Sequence, residues 1–138
     1  MLEGMHFSES ILDFLREPNF MVLGTIATDG RPQMTIVWFE YGDGAFRVST
    51  TTPRVKYRNV IRDPRVSFIV YDRGNPYRYL QVQGTVSNIT NEGAHDFIDR
   101  LSARYTGSPT YKRDPERTED RVILTITPDR FFAAGFAA

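Results

Sequence analysis

The sequence predicts a mainly β fold, an antiparallel barrel with flanking helices. Six strand-like segments are joined by short turns, and no long helices alternate with them as a parallel sheet would need. Neither G-x-G-x-x-G nor G-x-x-x-x-G-K-[ST] occurs, so the phosphate-binding loops of parallel α/β folds are missing. The length of 138 residues suits a single domain over 1–138 that buries enough surface to need no staples.

The elements follow in order. Phe7 to Arg16 places Phe7, Ile11, Leu12, Phe14 and Leu15 at helical spacing, with Ser8 as a cap and Pro18 as the stop. Phe20 to Thr28 (FMVLGTIAT) is apolar and β-branched, and Asp29-Gly30 is a hairpin signal. Pro32 to Tyr41 is a second run, apolar on both faces, which predicts a strand covered on both sides. After Gly42-Asp43-Gly44, Ala45 to Thr51 alternates as a half-buried strand. Thr52 as N-cap and Pro53 at the first helical position predict a helix to Arg62, which Asp63-Pro64 ends.

Arg65 to Tyr71 is a strand, and Arg73-Gly74-Asn75-Pro76 turns the chain. Tyr77 to Ile89 is a long strand with Leu80, Val82 and Val86 on one face and Tyr79, Gln81, Gln83 and Thr85 on the other. Gly84 within it marks a bulge or bend. Glu92 to Tyr105 repeats apolar residues at helical spacing, and Thr106 to Asp120 is a polar loop with two prolines. Arg121 to Thr127 is a final strand, which Phe131 to Phe136 extends after Pro128.

Composition narrows the function. Lys plus Arg and Asp plus Glu are 17 each, and a neutral chain does not look like a nucleic-acid binder. There are no cysteines, which removes disulfides, thiol catalysis and thiolate metal sites. Two histidines far apart, His6 and His95, exclude a histidine-rich metal site, and no metal is expected. No apolar run is long enough to span a membrane, and the N-terminus lacks a signal-peptide pattern. A cytoplasmic protein is expected.

The most informative stretch is Ser49 to Arg58 (STTTPRVKYR). A helix start carries partial positive charge and favours acids, yet Arg54 and Lys56 stand in the expected first turn with Arg58 behind. Hydroxyls, free N–H groups and two cations at a strand end are what a phosphate needs. A solvated basic helix face is the alternative, and Arg58, Arg62 and Arg65 fit that one. Trp38 and Phe39 either line a planar ligand or fill the core. Asn75 to Tyr79 is a binding loop or only an aromatic turn. His95 reads as a surface residue. Asp13, Asp96 and Asp99 show no pairing for general acid–base work, and no catalytic residue stands out.

The order of these segments resembles the FMN-binding split-barrel superfamily of pyridoxamine 5′-phosphate oxidase, and within it the F420-dependent branch. The segments that carry the resemblance are LGTIATDGRPQ (23–33), VWF (37–39), TPRVKYRNVIRDPRV (52–66) and YLQVQG (79–84). The resemblance implies a homodimer of split β-barrels with a flavin-like cofactor at each of two interfacial sites. It implies that Met34, Thr35, Ile36, Val37 and Trp38 run along the cofactor ring. Ser49 and Thr50, with Arg54 and Lys56, would hold its phosphate, Lys56 falling on the family's phosphate-binding lysine. Tyr79 and Gln81 would approach the cofactor from a neighbouring strand, in one reading that of the partner subunit.

The chain also departs from true pyridoxamine phosphate oxidases. Met34 and Phe39 stand nearest the Arg and Lys that those enzymes use for the FMN phosphate, and the longer C-terminal segment that binds pyridoxal phosphate is missing. These departures point away from vitamin B6 oxidation. The deazaflavin coenzyme F420 has a phosphodiester and an acidic glutamyl tail, which Arg54, Lys56 and Arg58 suit. The resemblance therefore implies hydride transfer from reduced F420 to a small, conjugated organic acceptor. An FMN-dependent oxidase or reductase, or a non-catalytic flavin-binding protein, is the alternative.

Overall fold

The computed structural model describes residues 6–112 and 120–136. The chain runs α1 (Glu9–Arg16), β1 (Phe20–Ile26), β2 (Pro32–Val37), β3 (Glu40–Gly42), β4 (Ala45–Thr51), α2 (Val55–Arg62), β5 (Arg65–Tyr71), β6 (Tyr79–Thr90), α3 (Ala94–Thr106) and β7 (Arg121–Ala134). Seven antiparallel strands form one curled sheet in the order β2-β1-β5-β6-β7-β4-β3. The sheet wraps a core that includes Met21, Leu23, Phe46, Val48, Phe68, Leu80, Val82 and Leu124. α1 closes this core with Ile11, Phe14 and Leu15, and its cap is the expected one, the Ile11 N–H donating to Ser8 Oγ at 3.3 Å.

α3 builds a second, smaller core on the other side of the sheet. Its Phe97, Ile98 and Leu101 pack with Trp38, Tyr105, Tyr111 and Ile123. Burial in β6 alternates as expected, with Leu80, Val82 and Val86 inside. The expected bulge falls at Gly84, where the pairing with β7 slips in register. A Cβ there would lie 2.8 Å from the Thr127 carbonyl oxygen, so only glycine lets the strands approach this closely. Pro128 lies opposite Gly84, beyond the last residue of β7 paired to β4. Its missing N–H therefore costs no ladder bond on that side, and β7 passes through it unbroken.

Three expectations need correction. The run Pro32 to Tyr41 is two strands, not one. Phe39 enters the core and its N–H donates to the Tyr105 hydroxyl at 3.2 Å, while Trp38 stacks on Tyr105 with centroids 5.3 Å apart. Nor is β2 covered on both sides within one chain, since Met34 is 59% and Ile36 64% exposed. Finally, Thr52 is not the N-cap of α2. Its N–H donates to the Asp120 carbonyl and the Arg54 N–H donates to Thr51, so Thr52-Pro53 belong to a turn. Arg54 is the N-cap, with no side-chain hydrogen bond. Smaller differences are strand β6 starting at Tyr79, not Tyr77, helix α3 spanning Ala94–Thr106, and the last two expected segments merging into β7. Part of the expected loop 106–120 lies outside the described residues.

Candidate functional site

A cleft of about 200 Å³ opens where the end of β2, the end of β4, the start of α2 and the α3 core meet. Ile36, Val37 and Trp38 supply one wall, and Ile98 and Leu101 of α3 another. Ser49, Thr50 and Thr51 come from β4, and Arg54 and Lys56 from the turn and first turn of α2. Tyr111 and Arg121 complete the lining. No Asp or Glu lines it among the described residues.

Lys56 is the unusual group. It is 7% exposed and makes no hydrogen bond or ion pair with any described residue. Burial, and then the neighbouring Arg54, pulls its ammonium below the usual lysine range. The start of α2 adds further positive potential. A buried cation without a counter-charge costs free energy that the fold does not recover internally. In the same cleft, Thr50 and Thr51 are 4% and 5% exposed, and neither hydroxyl has a partner. Buried polar atoms are ordinarily satisfied, so two unpartnered hydroxyls on residues that line the same cleft as Lys56 mark a place where an acceptor is missing. A phosphate offers that many acceptor oxygens and the missing negative charge.

Local structure sets this arrangement. Asn59 of α2 is buried, donates to Thr25 Oγ1 at 3.0 Å and accepts from Arg62 at 2.9 Å. Thr25 in turn donates to Gln33 of β2 at 3.2 Å. This chain ties α2 to β1 and β2 and so fixes where Lys56 enters the cleft. On the far side, Arg121 donates to Ser49 Oγ at 2.8 Å and lies over the Tyr111 ring at 5.1 Å. The Tyr111 N–H is held by Asp99 at 2.9 Å, and its ring meets Trp38 edge-on.

Of the residues proposed from sequence, Ile36, Val37, Trp38, Ser49, Thr50, Arg54 and Lys56 converge in this cleft. Thr35 points inward on β2 with a buried, unpartnered hydroxyl. Met34, Tyr79 and Gln81 do not join them. They belong to the outer face of the sheet, where Met34 and Gln81 line an apolar groove of about 480 Å³. Sequence reading missed Tyr111 and Arg121. Thr51 falls within the hydroxyl run Ser49 to Thr52, whereas Tyr111 and Arg121 are delivered from distant segments. Arg58, exposed on α2, does not line the cleft. His95 is exposed, as expected. No cluster of metal-binding side chains exists among the described residues, and none of their helices is long and apolar enough to cross a membrane.

A curled antiparallel sheet of seven strands, with a cationic cleft beside one helix start, is the architecture of a split barrel. Sequence comparison gives the family: the profile described as pyridoxamine 5′-phosphate oxidase matches residues 7–134, and the chain belongs to that family. A pyridoxine/pyridoxamine 5′-phosphate oxidase from Rubrobacter xylanophilus is 33% identical over 90 residues, 64% of this chain but only 41% of that protein. Among solved structures, an F420 reductase superposes with a TM-score of 0.81 at 36% identity, covering 91% of this chain and 98% of its own. A conserved protein of Mycobacterium tuberculosis superposes with a TM-score of 0.70 at 29% identity, covering 94% of this chain and 85% of its own.

Proposed function

We propose that this protein is a cytoplasmic oxidoreductase that binds reduced coenzyme F420 and passes a hydride to a small, conjugated organic acceptor. The observation that carries the reading is the buried, unpaired Lys56 in one cleft with the orphan hydroxyls of Thr50 and Thr51. In this reading Lys56, Arg54, Ser49 and Thr50 hold the coenzyme phosphate, with Thr51 added by the geometry. Ile36, Val37 and Trp38 lie along the ring, with Thr35 behind them on β2, while Met34 faces the outer groove. The bound coenzyme would supply the hydride. The chain's own part is to fix the phosphate with charged hydrogen bonds, to offer an apolar wall and to keep water from the reacting face.

The likeness to a protein named F420 reductase, over nearly its whole length, favours the deazaflavin. The match to an oxidase of pyridoxine and pyridoxamine 5′-phosphate favours FMN as the second reading.

The sheet's outer face supports a homodimer. Register aligns Ile36, Val22, Ile69, Gln81 and Phe132 in one row across five strands, and the next row, Met34, Gly24, Ser67, Gln83 and Arg130, turns polar toward β7. The first row, a mostly apolar stripe on the open side of a sheet, suits a second copy. Tyr79 and Gln81 lie on this face, so in the dimer they would approach the partner's coenzyme.

Titration of the purified protein with F420 and with FMN, followed by fluorescence, tests the reading. Saturable F420 binding with no FMN retention supports it. FMN retention through purification transfers the assignment to the second reading. Sedimentation tests the dimer: a monomer at micromolar concentration would remove that part.

A further inference from the structure

Only Lys56 and Lys112 among the 17 Lys and Arg residues are lysines. A chain that uses arginine almost everywhere places a lysine at its most enclosed cationic position. For holding a phosphate alone, a guanidinium would serve at least as well, with bidentate geometry and permanent charge. What the amine adds is the ability to lose a proton and attack carbon. No acid lines its cleft among the described residues, and Thr50 and Thr51, whose hydroxyls have no partner, line the same cleft.

We propose that Lys56 is a reactive amine that, in the coenzyme-free cleft, forms an imine with small aldehydes carrying a phosphate. The hydroxyls of Thr50 and Thr51, with Arg54, anchor the phosphate and present the aldehyde to Nζ. Lys56 first gives one proton to solvent. The nitrogen lone pair then forms a bond to the carbonyl carbon, and the resulting carbinolamine loses its oxygen as water to leave C=N. No electrons are exchanged and no co-reactant is needed. Hydrolysis reverses the step, so such aldehydes act as reversible covalent competitors of the coenzyme. The burial that holds the ammonium below its usual range favours the free amine. The inference shares the anion-accepting cleft with the proposed function but does not depend on which coenzyme binds.

The probe is pyridoxal 5′-phosphate, added to the full-length coenzyme-free protein, trapped with borohydride and located by peptide mass spectrometry. Lys112, which is exposed, is the internal reference. Lys56 is expected to be modified roughly ten-fold faster than Lys112, the advantage that anchoring supplies. Pyridoxal, lacking the phosphate, should lose that preference. Thr50→Val together with Thr51→Val should slow Lys56 modification and leave Lys112 unchanged. Lys56→Arg, checked for native circular dichroism, should abolish the fast adduct. Equal rates at the two lysines, or equal labelling by pyridoxal, would overturn the inference. Slow labelling of Lys56 in a protein that binds F420 defeats this inference alone. Fast labelling that F420 fails to block defeats the coenzyme reading alone.

Discussion

Arg104 and Lys56 are both cations held against the body of the protein, and their surroundings are opposite. Arg104 of α3 reaches the end of α1 and donates to the carbonyls of Leu15 at 3.0 Å, Arg16 at 3.0 Å and Glu17 at 2.8 Å. Those carbonyls are ones a helix end leaves without intrahelical donors, so one guanidinium caps α1 and fastens it to α3. Only its Nε lacks an acceptor. Arg78 and Arg100 are similarly occupied, by Asp72 and Glu40. Lys56 has no such partner, and the hydroxyls of Thr50 and Thr51 in its cleft are equally bare. The same chain satisfies these cations where they join elements and leaves Lys56 unsatisfied where β2, β4 and α2 meet. A fold breaks its own rules of polar satisfaction chiefly where a ligand completes them.

Substitution at each place should separate the two roles. Arg104→Met removes three charged hydrogen bonds and strands the Leu15 and Arg16 carbonyls, while that of Glu17 keeps the Asn19 N–H. It is expected to destabilise the protein by about 2–4 kcal/mol, read by urea denaturation, with coenzyme affinity unchanged. Lys56→Met should do the reverse. Coenzyme binding should weaken by about 1–3 kcal/mol in a fluorescence titration, while the ligand-free protein melts at the same or a higher temperature. A clear loss of ligand-free stability in that variant would place Lys56 with Arg104 and erase the contrast. Thr50→Val deletes an unpartnered hydroxyl at nearly constant volume. The ligand-free protein should gain up to about 1 kcal/mol, and coenzyme affinity should fall several-fold.

Dependence on pH sharpens the contrast further. Because burial lowers the Lys56 pKa on folding, the unfolded chain binds more protons in the alkaline range. Ligand-free stability should therefore gain from this group as pH rises from its folded value toward 10.5, and Lys56→Met should lose that gain. The Arg65 guanidinium, hydrogen-bonded to Asp63, lowers that carboxyl to about 2. Its contribution is complete above 3.8 and fades as pH falls through about 2. Arg65→Gln should flatten this acid limb slightly, the smallest effect of the set, in thermal melts across that range.

Much of the fold was legible because local signals agreed with the final packing. The Ser8 cap, the alternation of β6 and the bulge at Gly84 each depend on a few neighbouring residues. The break at Trp38 was hidden because its cause, the Tyr105 ring and hydroxyl, lies far along the chain. The true start of α2 was hidden for a similar reason, since Asp120 claims the Thr52 N–H. Within the cleft, the cations and hydroxyls of Ser49 to Lys56 could be read as one local conflict of charge. Tyr111 and Arg121 could not, because Arg121 arrives through the pairing of β4 with β7 and Tyr111 through its contacts with Asp99 and Trp38.

That pairing matches Thr51 with Arg121 and Ser49 with Ile123. Non-local strand contacts form late, and β7 leaves the ribosome after every other strand described. A nascent chain therefore displays Lys56 and its hydroxyls long before the opposite wall arrives. Each new molecule passes through an interval with its positive charge uncovered, and the cleft is complete only once β7 has paired.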